Sequence, residues 1–406
     1  MQKVKKILND PVHGFISIPE GLIFQLVEHP YFQRLRRIKQ VSLTHYVYPG
    51  ALHTRFHHAL GAFHLVSLAI ETLRAKGVDI TPEEAEGVSV AVLLHDIGHG
   101  PFSHTLEHTL INVHHESLSL WFMEKLNREF DGRLSMAIEI FRDRYPKPFL
   151  HQLVSGQLDM DRMDYLSRDS FFTGVYEGVI GYDRIIKMLN VHEGNLVVEE
   201  KGVYSIEKFL MARRLMYWQV YLHKTVVSAE QMLIKTIKRA KELYQDGVRI
   251  ELTGILGFFL SENINDEVFA QNKDALLDRF AQLDDADIAV ALKSWRYDSD
   301  PILSYLAGSL MDRKLFKLEF YDDSPPKERI ARIRQKLMEN YPGIPEVADY
   351  FLIQGTESNT AYTTQKDEIL VLMKDGRVLP ASELTGHGIY SRMVAKHYLC
   401  YPKGTI

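Results

Sequence analysis

Apolar residues recur every three or four positions along most of this chain, so the helical period dominates. Leu60, Phe63, Val66, Ile70 and Leu73 mark one such face between His58 and Lys76, with Gly77 as its stop. The next start is sharper. In Asp79 to Glu84, Thr81 caps, Pro82 suits the first turn and Glu84 completes a capping box. The run from Val88 to Leu94 is almost wholly apolar, which predicts a buried central helix that stops at Gly98. A further long helix is expected from Ser205 to Asp246-Gly247.

Two stretches break this period and predict hairpins. Leu196 to Val198 and Val203-Tyr204 flank Glu199 to Gly202, and Glu368 to Met373 and Arg377 to Leu379 flank Lys374-Asp375-Gly376. The expected fold is mainly α, with a helical lobe over 1–245. A smaller α+β lobe with short hairpins follows over 246–406, tightly packed because no Gly/Ser-rich linker separates the two. At 406 residues the chain exceeds one typical core, which agrees with two lobes.

Composition narrows the class. No apolar run reaches the roughly 18 residues of a membrane span, and the N-terminus shows no apolar secretory segment. Cys400 is the single cysteine, so an intrachain disulfide is excluded and a reducing, cytoplasmic setting is expected. The net charge of −5 argues against a nucleic acid partner. An anionic ligand would need a local basic site, and the clusters Arg34, Arg36, Arg37, Lys39 and Arg213, Arg214 are either that or solvated helix faces.

The chemistry lies in histidine and aspartate. Leu94-His95-Asp96-Ile97-Gly98-His99-Gly100 sets an imidazole and a carboxylate side by side at the end of a buried helix. A buried ionised Asp without a partner costs several kcal/mol, so either an arginine or a cation must meet it. Thr54 to Gly61 brings another imidazole, from His57 or His58. Leu158 to Tyr165 brings carboxylates, from Asp159, Asp161 or Asp164. Two nitrogens and two carboxylate oxygens from three elements suit a divalent ion with open positions for water and substrate. The set contains no thiolate, which argues against structural zinc. His99, His104 and His115 are candidates for proton transfer, because imidazole titrates near neutrality.

These blocks resemble the HD-domain deoxynucleoside triphosphate triphosphohydrolases. The similarity runs from Asn9-Asp10-Pro11-Val12-His13-Gly14 to about Lys224, and is densest in HDIGHGPFSH (95–104) and DMDRMDYLSRD (159–169). It is nearest the branch holding the vertebrate enzyme with a sterile-alpha-motif domain, and implies a bacterial-type homologue without that extra domain.

The resemblance implies that His58, His95, Asp96 and Asp161 hold one divalent metal: iron, manganese, nickel, zinc or magnesium. It implies His104 as the most direct catalytic residue, with Glu107 and His115 as its relay and His99 beside them. Glu107 stands where the family usually has Asp. Arg55, Arg162 and Arg213 would meet the triphosphate, with Arg214 a rival to Arg213. Tyr165 and Asp169 would hold the sugar 3′-hydroxyl, Tyr221 would pack under the sugar, and Gln40 would lie near sugar and base. Val41-Ser42-Leu43-Thr44-His45 departs from a glycine run in the vertebrate branch, so base preference does not carry over.

The function implied is hydrolysis of dNTPs to deoxynucleoside and inorganic triphosphate. The alternatives are another HD-type nucleotidase or phosphodiesterase, or a nucleotide-binding regulator with little turnover. The resemblance also implies a homo-oligomer, dimer or tetramer, with the C-terminal lobe between subunits. An activating nucleotide is expected at Asn9, Glu28, Gln33 and Arg36. There Glu28 replaces the usual Asp, and Gln33 and Arg36 alternatively just cap and solvate a helix.

Overall fold

The computed structural model describes residues 4–359, 368–384 and 394–406. It opens with an antiparallel hairpin of β1 (Val4–Asp10) and β2 (Gly14–Pro19), which the helical reading of the N-terminus had not anticipated. Asp10 shapes its turn by accepting from the amides of Val12 and His13 at 3.0 and 2.9 Å.

The centre is α1 (Arg55–Ala75), packed between α2 (Pro82–Leu94) and the later α4 (Met160–Thr173). Both α1 and α2 are buried around most of their circumference, as their nearly continuous apolar sequences require. The capping box at Thr81 and Glu84 forms in both directions, at 3.2 and 2.8 Å. Helix α3 (His115–Glu129) closes over the loop that leaves α2. That loop comes close to α3 because residue 98 is glycine. A Cβ at Gly98 would overlap the His115 carbonyl and the Ser119 amide.

Strands β3 (Leu189–His192) and β4 (Asn195–Glu199) form a hairpin about Glu193-Gly194. This corrects the pairing expected from sequence. Val203 and Tyr204 instead begin α5 (Val203–Met216). The tight turn sits one step earlier because Glu193 and Gly194 both take positive φ, 48° and 80°.

The single helix expected from Ser205 to Gly247 is broken as well. After α5 the chain makes a π-helical turn, Tyr217–Tyr221, then restarts as α6 (Lys224–Gln245). The Leu222 amide reaches back to the Tyr217 carbonyl at 2.7 Å, and His223 caps α6 by accepting from the Thr225 amide. Periodicity cannot reveal such a one-residue widening, which is frequent at functional sites.

Beyond α6 come α7 (Asp285–Trp295) and α8 (Pro301–Met311). Strands β5 (Lys317–Tyr321), β6 (Ile353–Asn359) and β9 (Val394–Tyr401) form a sheet ordered β5-β9-β6. The expected hairpin about Asp375-Gly376 is present as β7 (Leu370–Leu372) and β8 (Val378–Pro380), with Gly376 at φ 88°. Its β7 pairs in parallel with β4, so the last part of the chain extends the sheet of the first. Described residues from Ile16 to Tyr401 share one hydrophobic core. Among the described residues no helix is long and apolar enough to cross a membrane.

Candidate active site

His58 faces inward from the first turn of α1, His95 and Asp96 follow α2 directly, and Asp161 lies in the first turn of α4. Asp161 Oδ1 is 3.0 Å from His58 Nε2 and 3.4 Å from His95 Nε2. The Asp96 oxygens lie 3.7 Å from His58 Nε2 and 3.4 Å from His95 Nε2. His57 turns away and bonds Thr54 at the helix start. Asp159 caps α4 by accepting from the Arg162 amide at 2.7 Å.

The outer nitrogens of the two imidazoles are committed. His58 Nδ1 donates to Asp164 Oδ2 at 2.8 Å, and His95 Nδ1 donates to the Val92 carbonyl at 2.6 Å. Each inner Nε2 is then left with its lone pair, and each is buried without a hydrogen-bond partner. Two orphaned lone pairs facing two carboxylates form a donor set that fits a divalent cation. The charge balance agrees. Burial pushes the His58 imidazole down, but Asp161 and Asp164 outweigh it and lift it to about 10. Burial is likewise outweighed at His95, where Asp96 and Asp161 lift it to about 9. The carboxylates thus demand positive charge between them, which the two imidazoles would carry as protons unless a cation supplies it and leaves each Nε2 as a lone pair.

A buried network supports His58 from behind. Asp164 also accepts from His13 Nε2 at 2.6 Å and from Arg168 Nε at 2.9 Å, while Arg168 reaches Asp10 at 2.8 Å. Gly61 permits this approach, because a Cβ there would overlap the Asp164 carboxylate and the Arg168 guanidinium. Asp10, His13 and Arg168 were given no role from sequence. Their one signal was position, within the Asn9–Gly14 and 159–169 blocks.

The proton-transfer candidates meet beside this centre. His99 stacks on His115 with centroids 4.0 Å apart, and His104 packs edge-on against both. Glu107 joins them, accepting from His115 Nδ1 at 2.6 Å and from His104 Nδ1 at 3.2 Å. Burial raises the Glu107 carboxyl, but His104 and His115 outweigh this and hold it well below the usual range. Burial, with the nearby Arg55 cation, keeps His99 far below its ordinary value, so it is neutral. Phe102 and Ser103, just before His104, both take left-handed conformations, at φ 53° and 49°. Such strain must be held from outside. The Phe102 amide donates to Asp285 Oδ1 at 2.9 Å, and Arg55 Nε donates to Ser103 Oγ at 2.8 Å.

A cavity of about 540 Å³ opens onto these groups. All seven expected substrate residues line it: Gln40, Arg55, Arg162, Tyr165, Asp169, Arg213 and Tyr221. So do His99, His104, His115, Asp96 and Asp161. Arg162 Nε, Arg213 Nε and Gln40 Oε1 are buried without partners. The π turn presents Tyr217 and Tyr221 together, and the Tyr221 hydroxyl donates to Asp169 Oδ2 at 2.6 Å. His53, missed from sequence, donates to Asp169 Oδ1 at 2.7 Å. Arg55 is engaged with Asp96 as well as Ser103.

The four expected activator residues lie elsewhere, towards the N-terminal hairpin. Asn9 is on β1, Glu28 pairs with Lys6 at 2.9 Å, and Arg36 Nε donates to Gln33 Oε1 at 2.8 Å. The Arg36 guanidinium also lies 3.6 Å over the Phe56 ring.

Comparisons with known families and solved structures match most of this chain. The HD domain matches residues 55–169, and the HD associated region matches residues 180–251. A solved phosphohydrolase from Bacteroides thetaiotaomicron is 52% identical, with a TM-score of 0.94 over 98% of this chain and 100% of that one. The uncharacterized protein YwfO of Bacillus subtilis is 30% identical over 99% of this chain and 93% of its own length. The deoxynucleoside triphosphate triphosphohydrolase SAMHD1 homolog of Dictyostelium discoideum is 30% identical over 62% of this chain, which spans 52% of that relative's length. The chain belongs to the HD-domain phosphohydrolase family that includes the deoxynucleoside triphosphate triphosphohydrolases.

Proposed function

We propose that this protein hydrolyses deoxynucleoside triphosphates to deoxynucleoside and inorganic triphosphate. One observation carries the reading: a single cavity gathers the carboxylates Asp96 and Asp161 of the His/Asp centre, two guanidinium groups with unpaired buried N–H groups, and the Tyr165–Asp169–Tyr221 corner. Its volume suits one nucleotide. We assign His58, His95, Asp96 and Asp161 as ligands of one divalent ion. Histidine nitrogens favour iron, manganese, nickel or zinc over magnesium. When bound, such an ion supplies Lewis acidity and an activated water.

The chain's own residues supply the rest. Arg162 and Arg213 meet the triphosphate with charge-assisted N–H bonds, and Arg55 adds positive charge beside Asp96. Asp169, fixed by His53 and Tyr221, accepts from the sugar 3′-hydroxyl alongside Tyr165. Tyr221 packs under the sugar and crowds a 2′-hydroxyl. Gln40 faces sugar and base. His104 passes a proton to the 5′-oxygen as it leaves, while Glu107 and His115 orient its ring. His99, neutral and against Asp96, orients water.

Ion-exchange chromatography of the products tests this. Free triphosphate from a dNTP is the expected result. Phosphate or pyrophosphate would instead indicate a nucleotidase or phosphodiesterase, and no product would indicate a nucleotide-binding regulator.

A further inference from the structure

The cavity's positive charge comes from Arg55, Arg162 and Arg213, and another part of its wall is acidic. That part contains Ser42, Thr44, Thr105, Gln231, Glu230 from α6 and Glu357 from β6. Among the described residues neither glutamate makes an ion pair. Glu230 instead lies beside the hydroxyls of Thr105 and Ser42, which bond each other at 2.8 Å. Ser42 reaches this position through a left-handed backbone, φ 46°, within the segment where the resemblance failed. Lys396 is the cross-strand partner of Glu357, but its ammonium lies over Trp218 at 5.1 Å.

Burial is the largest influence on Glu230 and pushes its carboxyl up to about 7. The two hydroxyls oppose the rise and Glu357 adds to it. Burial also raises the Glu357 carboxyl. No cation among the described residues pairs with either carboxylate, and a ligand rich in N–H donors would draw the proton off Glu230.

We propose that Glu230 reads the base of the substrate, its carboxylate accepting from N–H groups on the Watson–Crick edge so that guanine is favoured and thymine disfavoured. This rests on the reading of the cavity as a dNTP site. Guanine presents a ring N–H beside an exocyclic amine, two adjacent donors for one carboxylate. Adenine and cytosine present one amine beside an acceptor. Thymine presents carbonyls on either side of a single N–H, and an ionised carboxylate is an acceptor only. Against the ionised carboxylate a thymine sets a carbonyl beside an acceptor, a mismatch that only a retained carboxyl proton relieves, so the preference for guanine should sharpen as pH rises above about 7.

The test is kcat/KM for triphosphate release by the metal-loaded enzyme with dGTP, dTTP and deoxyinosine triphosphate, which lacks the guanine amine. The expected result is dGTP ahead of dTTP by about tenfold or more. Deoxyinosine triphosphate should fall between them. Glu230→Gln, which offers one donor and one acceptor, should bring the dGTP/dTTP ratio towards one. Equal kcat/KM for all three in the wild-type enzyme would overturn base reading by Glu230 and leave triphosphohydrolysis standing. All rates are taken at one saturating GTP concentration, so that guanine binding outside the cavity does not enter the comparison, and Glu230→Asp, which shortens the carboxylate's reach, replaces Glu230→Gln if that variant fails to fold. No triphosphate from any of the three would overturn the proposed function and this inference together.

Discussion

At the scale of residues, the account turns on which nitrogen of each imidazole is free. Asp164 keeps the His58 proton on Nδ1, so Nε2 faces Asp161 and Asp96 as a lone pair. Asp164→Asn should loosen that control, because an amide can turn either a donor or an acceptor towards His58. Metal affinity should fall about 10- to 100-fold, the usual scale for such an outer partner. Competition with a chelator measures it, and unchanged affinity would remove Asp164 from that role. The His95-Asp96 pair was legible in sequence because adjacent residues at the end of an apolar helix advertise a buried charge. The support from Asp10, His13, Arg168 and His53 was not. His13 meets Asp164 across 151 positions of chain, and His53 meets Asp169 across 116, so no local spacing encodes either contact.

At the scale of elements, strong caps were readable and subtle backbone departures were not. The start of α2 formed as read, since Thr81, Pro82 and Glu84 each satisfy a stated need of a helix N-terminus. Glu84 is more deeply used than a cap requires. It also receives Lys147 at 2.8 Å and Tyr145 at 2.9 Å. Burial raises its carboxyl, but Lys147, the Thr81 amide and Tyr145 outweigh burial and depress it. A depressed carboxyl stabilises the fold above its unfolded pKa, and that contribution is lost as pH falls through the folded value. Glu84→Gln should therefore cost about 1–2 kcal/mol at pH 7. The gap to wild type should begin to shrink below about pH 4, where the unfolded carboxyl protonates while the folded one is still ionised. Thermal melts across pH check this, and a gap that widens in acid would refute it. The π turn at Tyr217–Tyr221 escaped sequence reading because it keeps nearly helical spacing while turning two tyrosines to the cavity. The hairpin about Glu193-Gly194 was misplaced because Gly202 offered a competing turn. In the fold Gly202 is instead packed under Val198 and Met188.

At the scale of the whole molecule, the C-terminal half braces the catalytic loops. Asp285 accepts from the amides of both Lys39 and Phe102 at 2.9 Å. Buried Arg34 ties the carbonyls of Ile97 and His99 to that of Leu283. Arg34 lies in the same short helix as Arg36, two residues away, and is the side chain that holds the Ile97 and His99 carbonyls. We propose on this basis, and on the family resemblance, a dimer or tetramer activated by a guanine nucleotide at Asn9, Glu28, Gln33 and Arg36. The nucleotide would have to take Arg36 from Gln33 and share it with Phe56. Light scattering should show an oligomer, and GTP, or dGTP below the level at which it competes for the cavity, should raise dATP hydrolysis in the wild-type enzyme but not in Arg36→Ala. A monomer at micromolar concentration under all conditions would remove the assembly. An oligomer indifferent to both nucleotides would remove the activator site alone.

The central claim is that four side chains from three elements hold one catalytic divalent ion. Elemental analysis of purified wild-type protein and of Asp96→Ala, each paired with a rate measurement, tests it most directly. The account predicts close to one equivalent of divalent metal in the wild type, with metal and turnover lost together in the variant. Full metal occupancy with retained activity in Asp96→Ala would contradict it.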